Sequence, residues 1–270
     1  MTECSAALVL SGGGALGAAH IGALKVLEEQ NLTFDRICGV SAGAIVGALA
    51  AMGRRSEEML RTLAAVDFFS LAFNLTRSRL ARRGGSKLEA LLDELFGERS
   101  FEDLPVRLLL GATDFCSGER VLLDRGSVRD AVRASISVPL FIEPFRHPQL
   151  QRWLVDGGLS QNFPLDWAVA EYHGSRIYEI DAATALGAGP EQWDGGVPSS
   201  ERGFRRTLQR VFRIMLLSQQ TALPADPRVV YIKPELGPYS AVDVRRISAI
   251  VQAGEEAARK AVRALQAVEA

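Results

Sequence analysis

Short, almost wholly apolar runs alternate along the chain with longer stretches whose apolar residues return every three or four positions. The runs predict strands over 6–10, 36–40, 106–113, 120–124, 153–155, 176–180 and 229–233. The stretches between them predict helices near 17–30, 42–52, 56–66, 87–96, 128–136, 165–172, 204–220 and 242–268. Runs such as Leu8-Val9-Leu10 and Leu108-Leu109-Leu110 lack polar alternation, so both faces of these strands should be covered. Alternation of this kind predicts an α/β fold with a mostly parallel central sheet and helices on both faces. In the last helix Ile247, Ile250, Val251, Ala258, Ala261, Val262, Leu265 and Val268 form one apolar stripe, which predicts a packed helix rather than a free tail. Two stretches break the pattern. Residues 67–86 mix Phe68, Phe69 and Phe73 with Arg77, Arg79, Arg82 and Arg83, and residues 182–203 read as a Gly/Pro/Ser-rich loop.

Candidate chemistry concentrates where three of the predicted strands end. Directly after the first comes Ser11-Gly12-Gly13-Gly14-Ala15-Leu16-Gly17. Glycines there allow a sharp turn and present backbone N–H groups beside a helix start, which stabilises a phosphate or an oxyanion. Gly12, Gly14 and Gly17 also satisfy the dinucleotide-binding spacing, but that fold needs an acidic residue at the end of its second strand. Asp35 precedes that strand, which ends instead in Gly39-Val40-Ser41-Ala42-Gly43. This second motif joins a strand to a helix, the setting of a nucleophile elbow, with Ser41 Oγ raised above the sheet. Composition alone yields such a pentapeptide in about one chain in ten of this length, so the flanking elements carry the weight. The third strand end is Trp153-Leu154-Val155-Asp156-Gly157-Gly158. Asp156 there is either a turn residue, a common use of Asp-Gly, or a carboxylate brought to the nucleophile.

A serine nucleophile needs a base. His20 falls inside a predicted helix, His147 between Arg146 and Pro148 in what reads as an exposed turn, and His173 at a helix end beside Gly174. None lies in a motif. Charge and cysteines narrow the field further: 31 basic against 32 acidic residues give no sign of a nucleic-acid partner. Cys4, Cys38 and Cys116 are too few and too irregularly spaced for a disulfide framework or a zinc site, so no metal is expected. The first seven residues lack the basic and apolar regions of a signal peptide, and no apolar run reaches a membrane span. The expectation is a cytoplasmic protein with transient membrane-surface contact. Residues 204–220, with Arg205, Arg206, Arg210 and Arg213 beside Phe204, Leu208, Phe212 and Leu216, are either an interfacial helix or a surface helix facing the core.

Together the Gly12–Gly17 loop, the Gly39–Gly43 elbow and Asp156-Gly157-Gly158 resemble the patatin-like phospholipase family, in its bacterial single-domain branch. Ala18–Leu24, Ala134-Ser135-Ile136-Ser137-Val138-Pro139, Asn162-Phe163-Pro164-Leu165 and the closing Pro238-Tyr239-Ser240-Ala241 are similar to further blocks of it. The resemblance implies a three-layer α/β/α domain over residues 1–270, with a motif-bearing core at 6–170 and the remainder packed on it. It implies a Ser41–Asp156 dyad with no catalytic histidine, and an oxyanion site from the backbone of Gly12, Gly13, Gly14 and Ala15. It further implies an acyl-enzyme, no cofactor, and lipid or acyl-ester substrates. One position departs from the family pattern: Leu16 stands where Arg or Lys is usual. The alternative is therefore a catalytically weak or inactive member of the same fold with a lipid-binding or regulatory role.

Overall fold

The computed structural model describes residues 5–66, 81–139, 141–183, 211, 214–215, 218–219, 225–237, 239, 241 and 244–269. Residues 67–80 of the irregular stretch 67–86, most of the Gly/Pro/Ser-rich loop, and most of the candidate interfacial helix 204–220 lie outside these residues. The apolar runs form strands β1 (Ser5–Leu10), β2 (Thr33–Val40), β3 (Arg107–Asp114) and β4 (Arg120–Leu123). They are followed by β5 (Phe145–Arg146), β6 (Trp153–Asp156), β7 (Ile177–Ile180) and β8 (Val229–Ile232). All join one sheet in the order β5-β6-β3-β2-β1-β7-β8, with β4 beside β3. The pairs β1–β2, β1–β7, β2–β3 and β7–β8 are parallel, whereas β3–β4, β3–β6 and β5–β6 are antiparallel. The sheet is thus mostly parallel, with an antiparallel extension whose shortest member, β5, is too brief to leave a sequence signal.

The helices are α1 (Ala18–Glu29), α2 (Ala42–Ala51), α3 (Ser56–Val66), α4 (Ala81–Phe96), α5 (Val128–Ser135), α6 (Leu165–Glu171) and α7 (Ile247–Glu269). The helix α4 begins at Ala81 rather than at Lys87, so that Gly84 and Gly85, part of the stretch that breaks the sequence pattern, lie within it. Side chains alternate along a strand, so Leu8 and Leu10 of β1 face one way and Ala7 and Val9 the other. The first pair joins a core with Ile21 and Leu24 of α1, Ile45 and Leu49 of α2, and Leu92 and Phe96 of α4. The second pair packs with Cys38, Leu109 and, from α6, Leu165 and Ala168. Burial on both faces is why these strands carry no polar alternation.

At the end of the chain α7 lies against α1, backbone close to backbone. A Cβ placed on Gly22 would stand 1.9 Å from the Val251 carbonyl oxygen, and one on Gly254 would stand 2.0 Å from that of Ala19. The sheet topology creates a second close meeting. Val40 of β2 pairs with Gly111 of β3, and Asp156 of β6 pairs with the next residue, Ala112. Because β4 already occupies the far edge of Ala112 and Thr113, β6 takes the near edge, which β2 vacates beyond Gly111. The carboxyl ends of β2 and β6 therefore meet head-on.

Candidate active site

Ser41 follows directly on β2 and precedes α2, with φ 55 and ψ −120. A non-glycine residue rarely adopts a positive φ, and the surroundings must over-determine it. Here two glycines make that possible. A Cβ on Gly39 would stand 2.5 Å from the Gly43 carbonyl oxygen, and one on Gly43 would stand 2.3 Å from that of Leu10. Ser135 fixes the turn from the side: its hydroxyl accepts the Ser41 N–H at 2.9 Å and donates to the Gly111 carbonyl at 2.6 Å. Held this way, Ser41 keeps only 9% of its surface exposed.

Its hydroxyl donates to Asp156 Oδ2 at 2.6 Å. The carboxylate's other oxygen accepts the Gly158 N–H at 2.8 Å, within the short turn that opens at Gly157. That turn tolerates no side chain at Gly157, where a Cβ would meet the Gly111 carbonyl oxygen at 2.3 Å. The backbone of Asp156 is fixed as well, its N–H donating to the Ser137 carbonyl and its carbonyl accepting from Thr113 Oγ1. Burial raises the Asp156 carboxyl to about 6, against the opposing effect of the hydrogen bonds from Ser41 and Gly158.

The glycine loop lies beside this pair. A Cβ on Gly12 would stand 3.2 Å from Ser41 Cβ, and one on Gly17 would stand 2.5 Å from Ala42 Cβ. Two of its amides are committed elsewhere: Gly12 N–H donates to the Asn162 carbonyl and Ala15 N–H to that of Ala241. Among the described residues the amides of Gly13 and Gly14 meet no hydrogen-bond acceptor. Gly14 has φ 59, a left-handed conformation that favours glycine. Behind the loop, His20 is fully buried and its Nε2 donates to the Ser11 carbonyl at 2.8 Å. Burial lowers that imidazole to about 4, so it stays neutral and acts as a brace.

The other histidines are elsewhere. His147, read from sequence as exposed, is buried: it packs edge-on against Phe145 and its Nδ1 accepts the Leu150 N–H. The polar residues of its turn face water while the ring does not. His173 is exposed. Cys38 is no rival nucleophile, because burial pushes its thiol up to about 12. Leu16 is fully buried with Leu236, Ile250 and Val251, so this position faces α7 and the core. Sequence reasoning assigned no role to Ser135, Ser137 or Thr113; the first two stand in a block that only its family likeness had marked. Among the described residues no group of acidic, His and Cys side chains could hold a metal ion, and no helix is long and apolar enough to cross a membrane.

Comparison with known proteins gives this geometry a family. The model of the patatin-like phospholipase family matches residues 8–169. An NTE family protein of Mycobacterium tuberculosis is 32% identical over 281 aligned positions, covering 96% of this chain and 47% of that protein. The neuropathy target esterase sws of Drosophila melanogaster is 32% identical over 173 positions, covering 62% of this chain and 12% of its own length. This chain thus spans about half, or less, of the curated relatives it matches. Among solved structures, VipD from Legionella pneumophila shares the fold with a TM-score of 0.54 at 15% identity, over 97% of this chain and 67% of that one. With the family model matching most of its length, the chain belongs to the patatin-like phospholipase family.

Proposed function

We propose that the chain is a serine acyl hydrolase that cleaves fatty-acyl esters of lipids through Ser41 and Asp156, without a histidine. The observation that carries this reading is the 2.6 Å hydrogen bond from Ser41 Oγ to Asp156 Oδ2, made by a serine held at positive φ. Ser41 Oγ attacks the ester carbonyl while its proton passes to Asp156. A carboxylate of ordinary pKa is a poor base near neutrality, and burial of Asp156, with its carboxyl at about 6, corrects that in part. Charge develops on the carbonyl oxygen and is met by the amides of Gly13 and Gly14. The alcohol leaves with the proton held by Asp156, and water, deprotonated by the same carboxylate, releases the acid from the acyl-enzyme.

The family, and an esterase among the relatives, support a lipid ester as substrate. Leu16 favours a second reading, a weak or inactive lipid binder, but its side chain is buried against α7. The test uses a short acyl ester. Ser41→Ala and Asp156→Asn should each lower kcat/KM by at least about 10³-fold with the circular dichroism spectrum unchanged. A fluorophosphonate should label the wild-type protein at Ser41 and leave Ser41→Ala unlabelled. Wild-type kcat/KM should fall as the pH drops below about 6, where Asp156 takes up its proton. Full activity in Asp156→Asn would sink the dyad, and an unlabelled wild type would favour the binder.

A further inference from the structure

Asn162 is gripped by its backbone. Its N–H donates to Gln219 Oε1 at 2.6 Å, and its carbonyl accepts the Gly12 N–H at 3.2 Å. Gln219 in turn donates through Nε2 to the carbonyls of Gly158 and Leu159. The residue is thereby clamped between the glycine loop and the turn after Asp156, with 3% of its surface exposed.

Its carboxamide lies where the side chains of two glycines would begin. Asn162 Oδ1 is 2.2 Å from the point a Cβ on Gly12 would occupy and 2.7 Å from that on Gly158. The first point is also 3.2 Å from Ser41 Cβ, and the second 2.9 Å from Asp156 Oδ1. One carboxamide thus adjoins both Ser41 and Asp156, and the two glycines are what make room for it. Its Nδ2 is nevertheless buried with no hydrogen-bond acceptor among the described residues. A carboxamide nitrogen carries two N–H donors, and leaving them unpaired when buried is costly. The cost is explained if the acceptor arrives with the substrate.

We propose that Asn162 is a further catalytic residue, on the reading that Ser41 is the nucleophile. Its side-chain N–H donates to the carbonyl oxygen of the acyl ester under attack. As the bond from Ser41 Oγ to the carbonyl carbon forms, the π electron pair moves onto that oxygen and the serine proton moves to Asp156. The N–H contact then becomes a charge-assisted one, beside those of Gly13 and Gly14. When the tetrahedral intermediate collapses, the pair returns, the carbon–alcohol bond breaks, and the alcohol takes the proton from Asp156.

Asn162→Leu keeps the branched shape and removes the donors. With a short-chain p-nitrophenyl ester its kcat should fall by about 10²- to 10³-fold while KM stays within about threefold of the wild type. A trifluoromethyl ketone, which the serine converts to a hemiketal oxyanion, should lose affinity by a similar factor. An ether analogue of the same chain length, lacking a carbonyl, should bind as it does to the wild type. Thermal unfolding reports whether the leucine variant is folded, and Asn162→Ala serves the same comparison if it is not. Ketone and ether affinities falling together, or a kcat within about threefold of the wild type, would overturn the donor role alone. A wild-type protein without esterase activity, or activity that survives Ser41→Ala, would overturn the dyad reading and this inference with it.

Discussion

At the scale of single residues, Asp156 shows how a fold prepares a base at the expense of its own stability. Its carboxyl is raised from 3.8 to about 6 because the backbone around it excludes water. A folded state with a raised carboxyl pKa holds its proton more readily than the unfolded chain. The associated stability is fully present below about pH 4 and is lost as the pH climbs through about 6. Asparagine at this position never ionises and so escapes that loss. Asp156→Asn should therefore be more stable than the wild type above about pH 6, by about 3 kcal/mol, with the difference vanishing below about pH 4. Urea unfolding at pH 4 and pH 7.5 checks the sign, and equal stability at both would remove the link between base strength and burial. Ser41 carries a matching cost in its positive φ, which the glycines on either side make bearable.

Between elements, the contact that matters most is the crossing of α1 and α7. Glycine in a helix interior is ordinarily a weakness, and replacing it by alanine gains about 1 kcal/mol. At Gly254 the expected sign is reversed, because the added carbon would stand 2.0 Å from the Ala19 carbonyl oxygen and force the helices apart. Gly254→Ala should lose about 2 kcal/mol despite its better helix propensity, which corresponds to a fall in Tm of about 6 °C. An unchanged or raised Tm in differential scanning calorimetry would contradict this packing. The same crossing bears on the site, because α1 starts at the end of the glycine loop and Leu16 packs onto α7. The apolar stripe of the last helix was legible in the sequence. Its partner was not, since nothing local to Gly22 or Gly254 says which helix will press against it.

At the scale of the whole molecule, the parallel part of the sheet and its antiparallel extension divide the work. The parallel strands bring Ser41 and the glycine loop to their carboxyl ends, where α/β folds place ligands. The extension runs the other way and delivers Asp156 to the same point, beside Gly111 and Ala112. Residues far beyond the motifs hold this arrangement, among them Ala241, whose carbonyl accepts the Ala15 N–H, and the whole of α7. A chain that stops at Arg246 should therefore lose its cooperative thermal transition and its fluorophosphonate labelling together. Retention of labelling would show that the loop is shaped without the last helix.

What the sequence by itself determined is local: the period of the apolar residues sets the order of strands and helices, and the glycine spacings mark the ends where chemistry can sit. Ser41 was legible for that reason, because strand, tight turn and helix are consecutive in the chain. From its own residues Asp156 was a strand-end carboxylate that a turn would equally explain, and only the family resemblance marked it as the base. Its meeting with Ser41 depends on β6 taking the edge of β3 that β2 leaves free, a matter of sheet topology. Tertiary structure alone decided the brace from Ser135, the commitment of the Gly12 and Ala15 amides, the burial of Leu16 and the unpaired Nδ2 of Asn162. Each of these joins residues distant along the chain, and hydrogen bonding and burial between distant segments leave no periodicity to read.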